Sequence, residues 1–357
     1  MISRHLKRTL AGTAALCGVD NLFRHINRKK LLVVMYHGVT TTGYTPAIWT
    51  QLPLATFRQQ LLFLKKQYAP VSLHEVIEAI RGGTPLPEQA VLITFDDGLK
   101  NNYSVAFPVL HELNVPAAIF LTVDLIGTDE ILWFDELYFL LQESIVQGIN
   151  PDLPDATARI MVQNRQLWEA YLIIVETMKR AGLERRVQQM ASLRAAVPLD
   201  RQKLIPDFGL LNWSQIDAMQ RTGLVEFGVH TATHRILTGL TDEEWAEEIV
   251  IPKQTLEKEL NAEAAAFCFP NGKPLIDFRP DQPGSLRKAG YECAFTTENA
   301  LFNWAGGDTM AISRVPAGND ATSDPSYFKL NASGALHFIR NLINGPQASC
   351  RLHGAKP

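Results

Sequence analysis

Short apolar runs alternate with amphipathic helical patterns along most of this chain. Seven runs have the length and the β-branched or aromatic content of buried strands, at residues 31–36, 91–95, 117–122, 224–229, 265–269, 293–297 and 310–315. Helical patterns separate many of these runs, at residues 55–67, 72–81, 101–113 and 241–260, and the last begins with Thr241 and Glu244 at the spacing of a capping box. Apolar strands that alternate with helices predict an α/β fold with a parallel sheet or barrel.

The strand pattern stops between about residues 128 and 212, and the residues there have the periodicity of helices. This predicts a helical insertion of about 128–212 within a strand–helix unit. After about residue 320 the pattern weakens, apart from a short helical stretch at "ALHFIRNLI". We therefore expect an N-terminal segment (1–30), a main domain (31–320) that carries the insertion, and a C-terminal tail (321–357).

Charge is distributed unevenly along the chain. The net charge of the 357 residues is −3, which indicates no nucleic-acid partner. Residues 1–30, however, carry seven Lys and Arg residues against Asp20 alone, a net charge of +6. The stretch "TLAGTAALCGV" lacks a clean cleavage site, so we expect a location in the cytoplasm or peripheral to a membrane. A basic amphipathic segment that contacts a membrane surface and a helix packed on the domain both remain open for residues 1–30.

Polar residues follow the predicted strands at the points where the strands end. His37 follows the first strand, Asp96 and Asp97 close the second, His230 follows the fourth, and Arg314 lies near the end of the seventh. Side chains at the carboxyl ends of barrel strands converge on one mouth, where barrel enzymes carry out chemistry. Gly98 lets the chain turn after the second strand, so both carboxylates can reach that mouth.

A metal site is the chemistry that this set of residues favours. His230 and His234 are four residues apart and would share one side of a helical turn. With one of the two Asp residues they form a three-ligand site of oxygen and nitrogen, which suits a catalytic Zn²⁺ or another divalent first-row metal that carries a water. The other Asp is then available as the base for that water. Each piece alone also has a structural explanation, because adjacent Asp residues are common in turns and this His spacing is common on surfaces.

Two motifs resemble those of a known family. "TFDDG" at 94–98 and "HTATH" at 230–234 are similar to the motifs of the polysaccharide deacetylases, the NodB-homology carbohydrate esterases of family 4 type. "FCFPNG" at 267–272 and "LRKAGYECAFTTE" at 286–298 resemble later segments of that family. The resemblance covers about 31–320 apart from the insertion. It implies a distorted (β/α) barrel with about seven parallel strands, and metal-dependent removal of acetyl groups from an N-acetylated glycan.

The resemblance also implies roles for individual residues. Asp96 would be the general base, while Asp97, His230 and His234 would hold the metal. The backbone N–H near Asn271 would help to bind the oxyanion.

The proton donor and the residue that orients the base differ from the common pattern of the family. "VVMYHGV" at 33–39 resembles the start of a permuted branch that includes poly-N-acetylglucosamine deacetylases, in which the N-terminal strand supplies the acid. His37 takes that role here. The family's third motif usually carries an Arg and a Tyr where this chain has Cys268 and Asn271. Arg314 is our candidate for the missing Arg because of its position at a strand end.

Other functions remain compatible with these residues. A metal-dependent hydrolase of an acetyl ester or of a non-glycan amide would use the same scaffold. A glycan-binding protein without catalysis is a different class, and the complete Asp and His set disfavours it. A magnesium phosphotransferase is disfavoured because such an enzyme would use a D-x-D spacing after the strand and would not need two histidines. The chain also lacks a glycine-rich phosphate loop.

Overall fold

A computed structural model of the chain describes residues 12–14 and 17–344. The chain divides into two compact units. The first unit comprises residues 1–128 and 210–357, and the second comprises residues 129–209. Residues 1–11 of the expected N-terminal segment and residues 345–357 of the expected C-terminal tail lie outside the described residues.

The strands of the first unit are β1 Leu32–Tyr36, β2 Gly38–Thr40, β3 Gln51–Pro53, β4 Ala69–Val71, β5 Ala90–Phe95, β6 Ala117–Leu121, β7 Val225–Val229, β8 Ala266–Cys268, β9 Cys293–Phe295 and β10 Val315–Pro316. Seven of them form a parallel sheet in the order β10-β1-β5-β6-β7-β8-β9. β4 pairs with the start of β5, whereas β6 pairs with its end. β2 and β3 form a separate parallel pair. The distorted (β/α) barrel of about seven parallel strands is confirmed.

Residues 312–316 join the two edges of the sheet. Ile312 bridges Phe295 of β9, and Val315 pairs with Val34 of β1. The sequence pattern predicts a strand over 310–315, and this extent is wrong, because Thr309–Ala311 is a 3₁₀ turn and β10 has only two residues. A segment that crosses from one edge strand to the other cannot pair along its whole length with either of them.

Helices of the first unit follow most of the strands. They are α1 Val19–Ile26, α2 Leu54–Gln67, α3 Leu73–Ile80, α4 Phe107–Leu113, α10 Trp213–Gln220, α11 Asp242–Trp245, α12 Ile251–Leu260, α13 Gln282–Lys288, α14 Pro325–Ala332 and α15 Ala335–Asn344. π-helical turns precede α4 and α12, at Asn102–Ala106 and Ala246–Val250. The predicted capping box is present at the start of α11, where Thr241 accepts a hydrogen bond from the Glu244 backbone N–H.

Side chains of the central strand alternate between two apolar layers. Val91, Ile93 and Phe95 of β5 pack in the layer that contains helix residues such as Phe57 of α2. Ala90 and Leu92 belong to the other layer, with strand residues such as Phe120, Cys268 and Phe295. Asp96 is four residues beyond Leu92, so the alternation places it on the same side of the strand as Leu92. This side is the inner face of the barrel.

The second unit is helical. Its helices are α5 Trp133–Gln147, α6 Ala156–Gln163, α7 Leu167–Arg180, α8 Leu183–Ala196 and α9 Ile205–Phe208. They fall within residues 128–212, where the sequence pattern predicts an insertion. Leucine, isoleucine and methionine side chains of α5, α7 and α8 form its core, among them Leu141, Ile174 and Leu193. Glu136 is fully buried there and is paired with Arg194 and Arg201.

None of the helices within residues 12–14 and 17–344 combines the length and the apolar composition needed to cross a bilayer.

Candidate active site

One mouth of the barrel collects the polar residues that the sequence singles out. His37 directly follows β1, Asp96 follows β5, and His230 follows β7. Asn271 lies three residues after β8, and Arg314 directly precedes β10. Because the strands are parallel, all of these positions except that of Arg314 lie beyond carboxyl ends at the same side of the sheet.

Asp96 is held by Arg314 in a buried ion pair. Nη1 and Nη2 of Arg314 donate to Oδ1 and Oδ2 of Asp96 at 2.7 and 2.8 Å, a bidentate arrangement. The guanidinium is fully buried, and its Nε donates to the carbonyl of Thr296 at 2.8 Å. Burial alone raises the pKa of the Asp96 carboxyl, but the charge and hydrogen bonds of Arg314 outweigh burial and hold this pKa well below its usual range. Asp96 is therefore ionised at neutral pH.

Cys268 occupies the inner face of β8 next to the same carboxylate. Its Sγ lies 3.5 Å from Oδ1 of Asp96. Burial raises the pKa of this thiol, so the group is a neutral donor at ordinary pH. Cys268 thus lies where the family resemblance leads one to expect Arg, while Arg314 reaches the carboxylate from another part of the chain.

Asp97 turns away from the strand direction because of its backbone conformation. Asp97 and Gly98 both have left-handed φ values, 73° and 75°. A Cβ at position 98 would approach Cδ2 of Leu121 to 2.7 Å, so the Leu121 side chain would have to shift to admit it. The Asp97 side chain is buried, and neither carboxylate oxygen has a hydrogen-bond partner among the described residues. Such a group is costly to bury unless it binds a cation.

The two histidines both face Asp97. Nε2 of His230 and Nε2 of His234 lie 3.5 and 3.4 Å from Oδ1 of Asp97. Nδ1 of His230 is hydrogen-bonded to the carbonyl of Cys268 at 2.8 Å, which orients Nε2 toward the carboxylate. The helical turn expected for His230 and His234 is wrong. These residues lie in a loop in which Thr231 and His234 have φ values of 64° and 62°, and this bend brings the rings together.

The residues present fit a divalent metal ion. Asp97, His230 and His234 each offer one ligand atom, and these atoms lie within 4.8 Å of one another. Burial lowers the pKa of His234 to about 3, which leaves its imidazole neutral, as a metal ligand must be. Asp96, His230 and Cys268 are a second set whose possible ligand atoms lie within 4.8 Å of one another. Because Arg314 already engages both oxygens of Asp96, the first group is the better site.

Glu248 is a part of the site that sequence reasoning missed. Its carboxylate accepts hydrogen bonds from the backbone N–H of Thr233, at 3.0 Å, and from the Thr233 hydroxyl, at 2.6 Å. Its carbonyl accepts from the N–H of Ala232 at 3.1 Å. Glu248 is buried in the π-helical turn 246–250, and these hydrogen bonds stabilise the loop between the two histidines. Glu248 lies three residues after Trp245 on the apolar face of the helical pattern, whereas the neighbouring acids lie on the solvated face. An acid on the apolar face is the signal that could have revealed it.

His37 lies at the edge of the mouth. Its ring packs edge-on against Trp49, with centroids 4.9 Å apart, and its carbonyl accepts from Nδ2 of Asn102 at 2.6 Å. The ring is near enough to Asp96 and Asp97 that a positive charge on it would lower the pKa of both carboxyls. His337 in α15, a histidine nearer the end of the chain, has both ring nitrogens engaged, by the carbonyl of Asn299 and the side chain of Asn341.

Asn271 lies in the loop after β8. Asn271 and Gly272 have φ values of 58° and 65°. The hydroxyl of Thr297 donates to the carbonyl of Asn271, and the N–H of Thr297 donates to the carbonyl of Gly272 at 3.1 Å. These two hydrogen bonds are both accepted by carbonyl groups of the loop, and they fix the position of the loop next to Thr297.

A family model and a curated protein that match this chain are both described as deacetylases. A family model described as polysaccharide deacetylase matches residues 83–294, which is more than half of the chain. The chain is also similar to the poly-beta-1,6-N-acetyl-D-glucosamine N-deacetylase of Escherichia coli (strain K12), with 45% identity over 64 residues. That alignment covers 18% of this chain and only 10% of the E. coli protein.

Two solved structures have a fold similar to that of this chain. The Streptococcus pyogenes deacetylase PplD, solved in complex with acetate, matches with a TM-score of 0.56 and 18% identity, over 85% of this chain and 98% of that one. IcaB from Ammonifex degensii matches with a TM-score of 0.54 and 20% identity, over 84% and 97% of the two chains. At these identities the likeness concerns the fold.

Proposed function

Because the chain belongs to the polysaccharide deacetylase family, we propose that it hydrolyses the acetamide groups of N-acetylated amino sugars in a polysaccharide or its precursor. The observation that carries this proposal is the arrangement of two carboxylates with different surroundings at one mouth. Asp96 is bound by Arg314, whereas Asp97 faces two imidazoles and has no other partner among the described residues. Neighbouring carboxylates in such different environments suit different roles.

We propose that Asp97, His230 and His234 hold one divalent ion, with zinc as the first choice. When bound, such an ion polarises the acetyl carbonyl and lowers the pKa of a water molecule. The chain's own residues contribute orientation, since the Cys268 carbonyl fixes the His230 ring and Glu248 fixes the loop that carries His234.

Proton transfer is assigned to Asp96 and His37. Asp96, kept ionised by Arg314, accepts the proton of the attacking water. His37, when protonated, donates to the leaving nitrogen, because an amine leaves poorly unless it is protonated. The engagement of both His337 nitrogens supports His37 as the acid. The backbone N–H of Asn271 is proposed to donate to the oxyanion.

The substrate class is inferred from the relatives. The E. coli protein named above acts, by its name, on poly-β-1,6-N-acetyl-D-glucosamine, and the alignment covers a tenth of its length. We therefore propose a polymer or oligomer of N-acetylglucosamine as the first substrate to test. We also propose that residues 1–30 contribute to a peripheral contact with a membrane.

Acetate release tests this function. Purified protein is incubated with β-1,6- and β-1,4-linked N-acetylglucosamine oligomers, before and after chelation and after return of Zn²⁺. We expect release that chelation abolishes and zinc restores. Asp96→Asn is the matched inactive control, because its amide oxygen can still accept from Arg314. Acetate release from aryl or sugar esters alone would assign the protein to ester hydrolysis instead. Failure on every acetylated substrate would refute the proposal.

A further inference from the structure

The two helices nearest the ends of the described chain pack against each other. The rings of Phe23 in α1 and Phe338 in α15 have centroids 5.2 Å apart. Beside them, Nδ2 of Asn27 donates to the carbonyl of Ser333 at 2.9 Å. α1 and α15 therefore form one continuous surface, although more than 300 residues separate them in sequence.

Large apolar side chains point outward from both helices. In α1, Leu22 and Ile26 are 58% and 60% exposed. In α15, Phe338, Leu342 and Ile343 are 54%, 75% and 75% exposed. Residues four apart lie above one another on a helix, so Leu22 with Ile26 and Phe338 with Leu342 form two short apolar stripes. We call these five side chains the terminal-helix surface. Clustered exposure of this kind marks an interaction site.

The two end segments of the chain, which include these helices, carry a positive net charge. Residues 1–30 carry +6, and residues 335–357 carry Arg340, Arg351 and Lys356 with no acid, which leaves −12 on the intervening residues. Asp20, the only acid of the two end segments, is buried in α1. Arg28 is paired with Glu88, whereas Lys29, three residues after Ile26, is exposed. Arg340, three residues before Ile343, is also exposed, and its guanidinium donates to the carbonyls of Leu336 and Asn299. The two ends of the chain are thus jointly basic within an acidic protein.

We propose that the terminal-helix surface binds the surface of an anionic phospholipid bilayer. An apolar helix face bordered by Lys and Arg is the pattern of helices that lie in a membrane interface. The apolar side chains would enter the boundary of the acyl chains while Lys29 and Arg340 contact lipid phosphates.

Charge disfavours the other occupants of this surface. A second copy of the chain would bring an equally basic surface against it. The end residues of this chain outside the described part are also basic, because Arg4, Lys7 and Arg8 precede α1 and Arg351 and Lys356 follow α15. An anionic partner compensates this charge, and a bilayer also accepts the apolar side chains.

The position of α1 also determines which way the barrel would face. α1 leads into the amino end of β1, and the carbonyl of Arg28 accepts from the N–H of Gln89, directly before β5. His37 and Asp96 follow the opposite ends of these two strands. A protein bound through the terminal-helix surface would therefore turn its mouth away from the bilayer. This proposal extends the membrane contact proposed for residues 1–30 to a surface shared with α15, and it does not depend on the deacetylase function.

Vesicle sedimentation of the full chain tests the proposal. Vesicles of phosphatidylcholine with phosphatidylglycerol are compared with vesicles of phosphatidylcholine alone. We expect binding to the anionic vesicles only, and weaker binding as the salt concentration rises. The variant Leu22→Gln/Leu342→Gln should lower the partition coefficient by about tenfold or more. The variant Lys29→Gln/Arg340→Gln should lower it by about thirtyfold, since each charge near an anionic surface contributes about fivefold.

The matched control replaces two apolar residues of similar exposure elsewhere in the same unit. Leu62 and Ile251 are 47% and 49% exposed, and Leu62→Gln/Ile251→Gln should bind vesicles as the parent does. Circular dichroism checks that every variant folds. Binding that ignores lipid charge, equal losses in the test and control variants, or no binding at all would overturn the proposal. A parent dimer in light scattering that Leu342→Gln dissociates would assign the surface to a second copy instead.

Discussion

Arg314→Met tests how the proposed base is held. Met is unbranched and fills much of the same space, but it is uncharged. The substitution removes two hydrogen bonds to Asp96, at 2.7 and 2.8 Å, and one to the carbonyl of Thr296. The Asp96 carboxylate then remains in a position where the residue is only 2% exposed, with Cys268 as its neighbouring donor.

The expected cost in stability follows from this burial. Removal of one partner of a buried ion pair leaves the other charge uncompensated, which costs about 3–5 kcal/mol of unfolding free energy. Burial raises the pKa of Asp96 and Arg314 lowers it. Without Arg314, burial dominates, and we expect the pKa of Asp96 to rise above the ordinary value of about 3.9.

The sign of the pH dependence differs between parent and variant. In the parent the folded-state pKa of Asp96 is below the unfolded value, so the ion pair stabilises the protein above the unfolded pKa of about 3.9 and loses this effect as the pH falls through the folded pKa. In the variant the folded-state pKa is the higher one. Its destabilisation is then greatest at neutral and alkaline pH and decreases as the pH falls through the raised pKa.

Urea unfolding at pH 8 and pH 5 measures this difference. We expect the gap in unfolding free energy between parent and variant to be smaller at pH 5. The acid limb of the deacetylation profile should move to higher pH, because Asp96 must be ionised to act as a base. The double variant Asp96→Asn/Arg314→Met should recover much of the stability but no activity, since it removes the buried charge and the base together.

A matched control is available at the surface. Arg81 is exposed and bonded to Glu292 and Glu263, so Arg81→Met should change stability little at either pH. If Arg314→Met showed the same stability gap at both pH values and an unmoved acid limb, Arg314 would not control the ionisation of Asp96.

Other substitutions separate the remaining roles. His37→Ala should lower turnover of an N-acetyl amide by about 10²–10⁴-fold but have much less effect on an activated aryl acetate, whose leaving group needs little protonation; an unchanged ratio of the two activities would leave His37 as scaffold. The parent should hold about one divalent ion per chain, measured by elemental analysis, and His230→Ala should lose it; an active preparation without metal would contradict the proposed ligand set. Glu248→Gln keeps the size of the side chain but weakens its hydrogen bonds to Thr233, so metal affinity in chelator competition should fall by about 10–100-fold. The exposed Glu247→Gln is its control, and equal effects of the two substitutions would remove Glu248 from the site.

Much of the fold was predictable because strand and helix periodicity are local properties of the sequence. The strands β1, β5, β6, β7, β8 and β9 lie within or beside the predicted runs, and the capping box at Thr241 starts α11 as expected. The strands β2, β3 and β4 were missed, because each has only three residues and includes a Gly or a Pro, which are uncommon in strands. The seventh predicted run failed because its residues are divided between two partners, β9 and β1.

The sequence by itself determined which residues follow the strands, and therefore which side chains can reach the mouth. It could not determine how they pair there. Arg314 and Asp96 are 218 positions apart, and only the closure of the sheet through residues 312–316 brings the guanidinium to the carboxylate. The sequence places Glu248 on the same helical face as Trp245, but its contact with Thr233 depends on how that helix packs against the histidine loop. Periodicity reports the conformation of neighbouring residues, whereas contacts between distant residues are set by the way that sheet and helices pack in three dimensions.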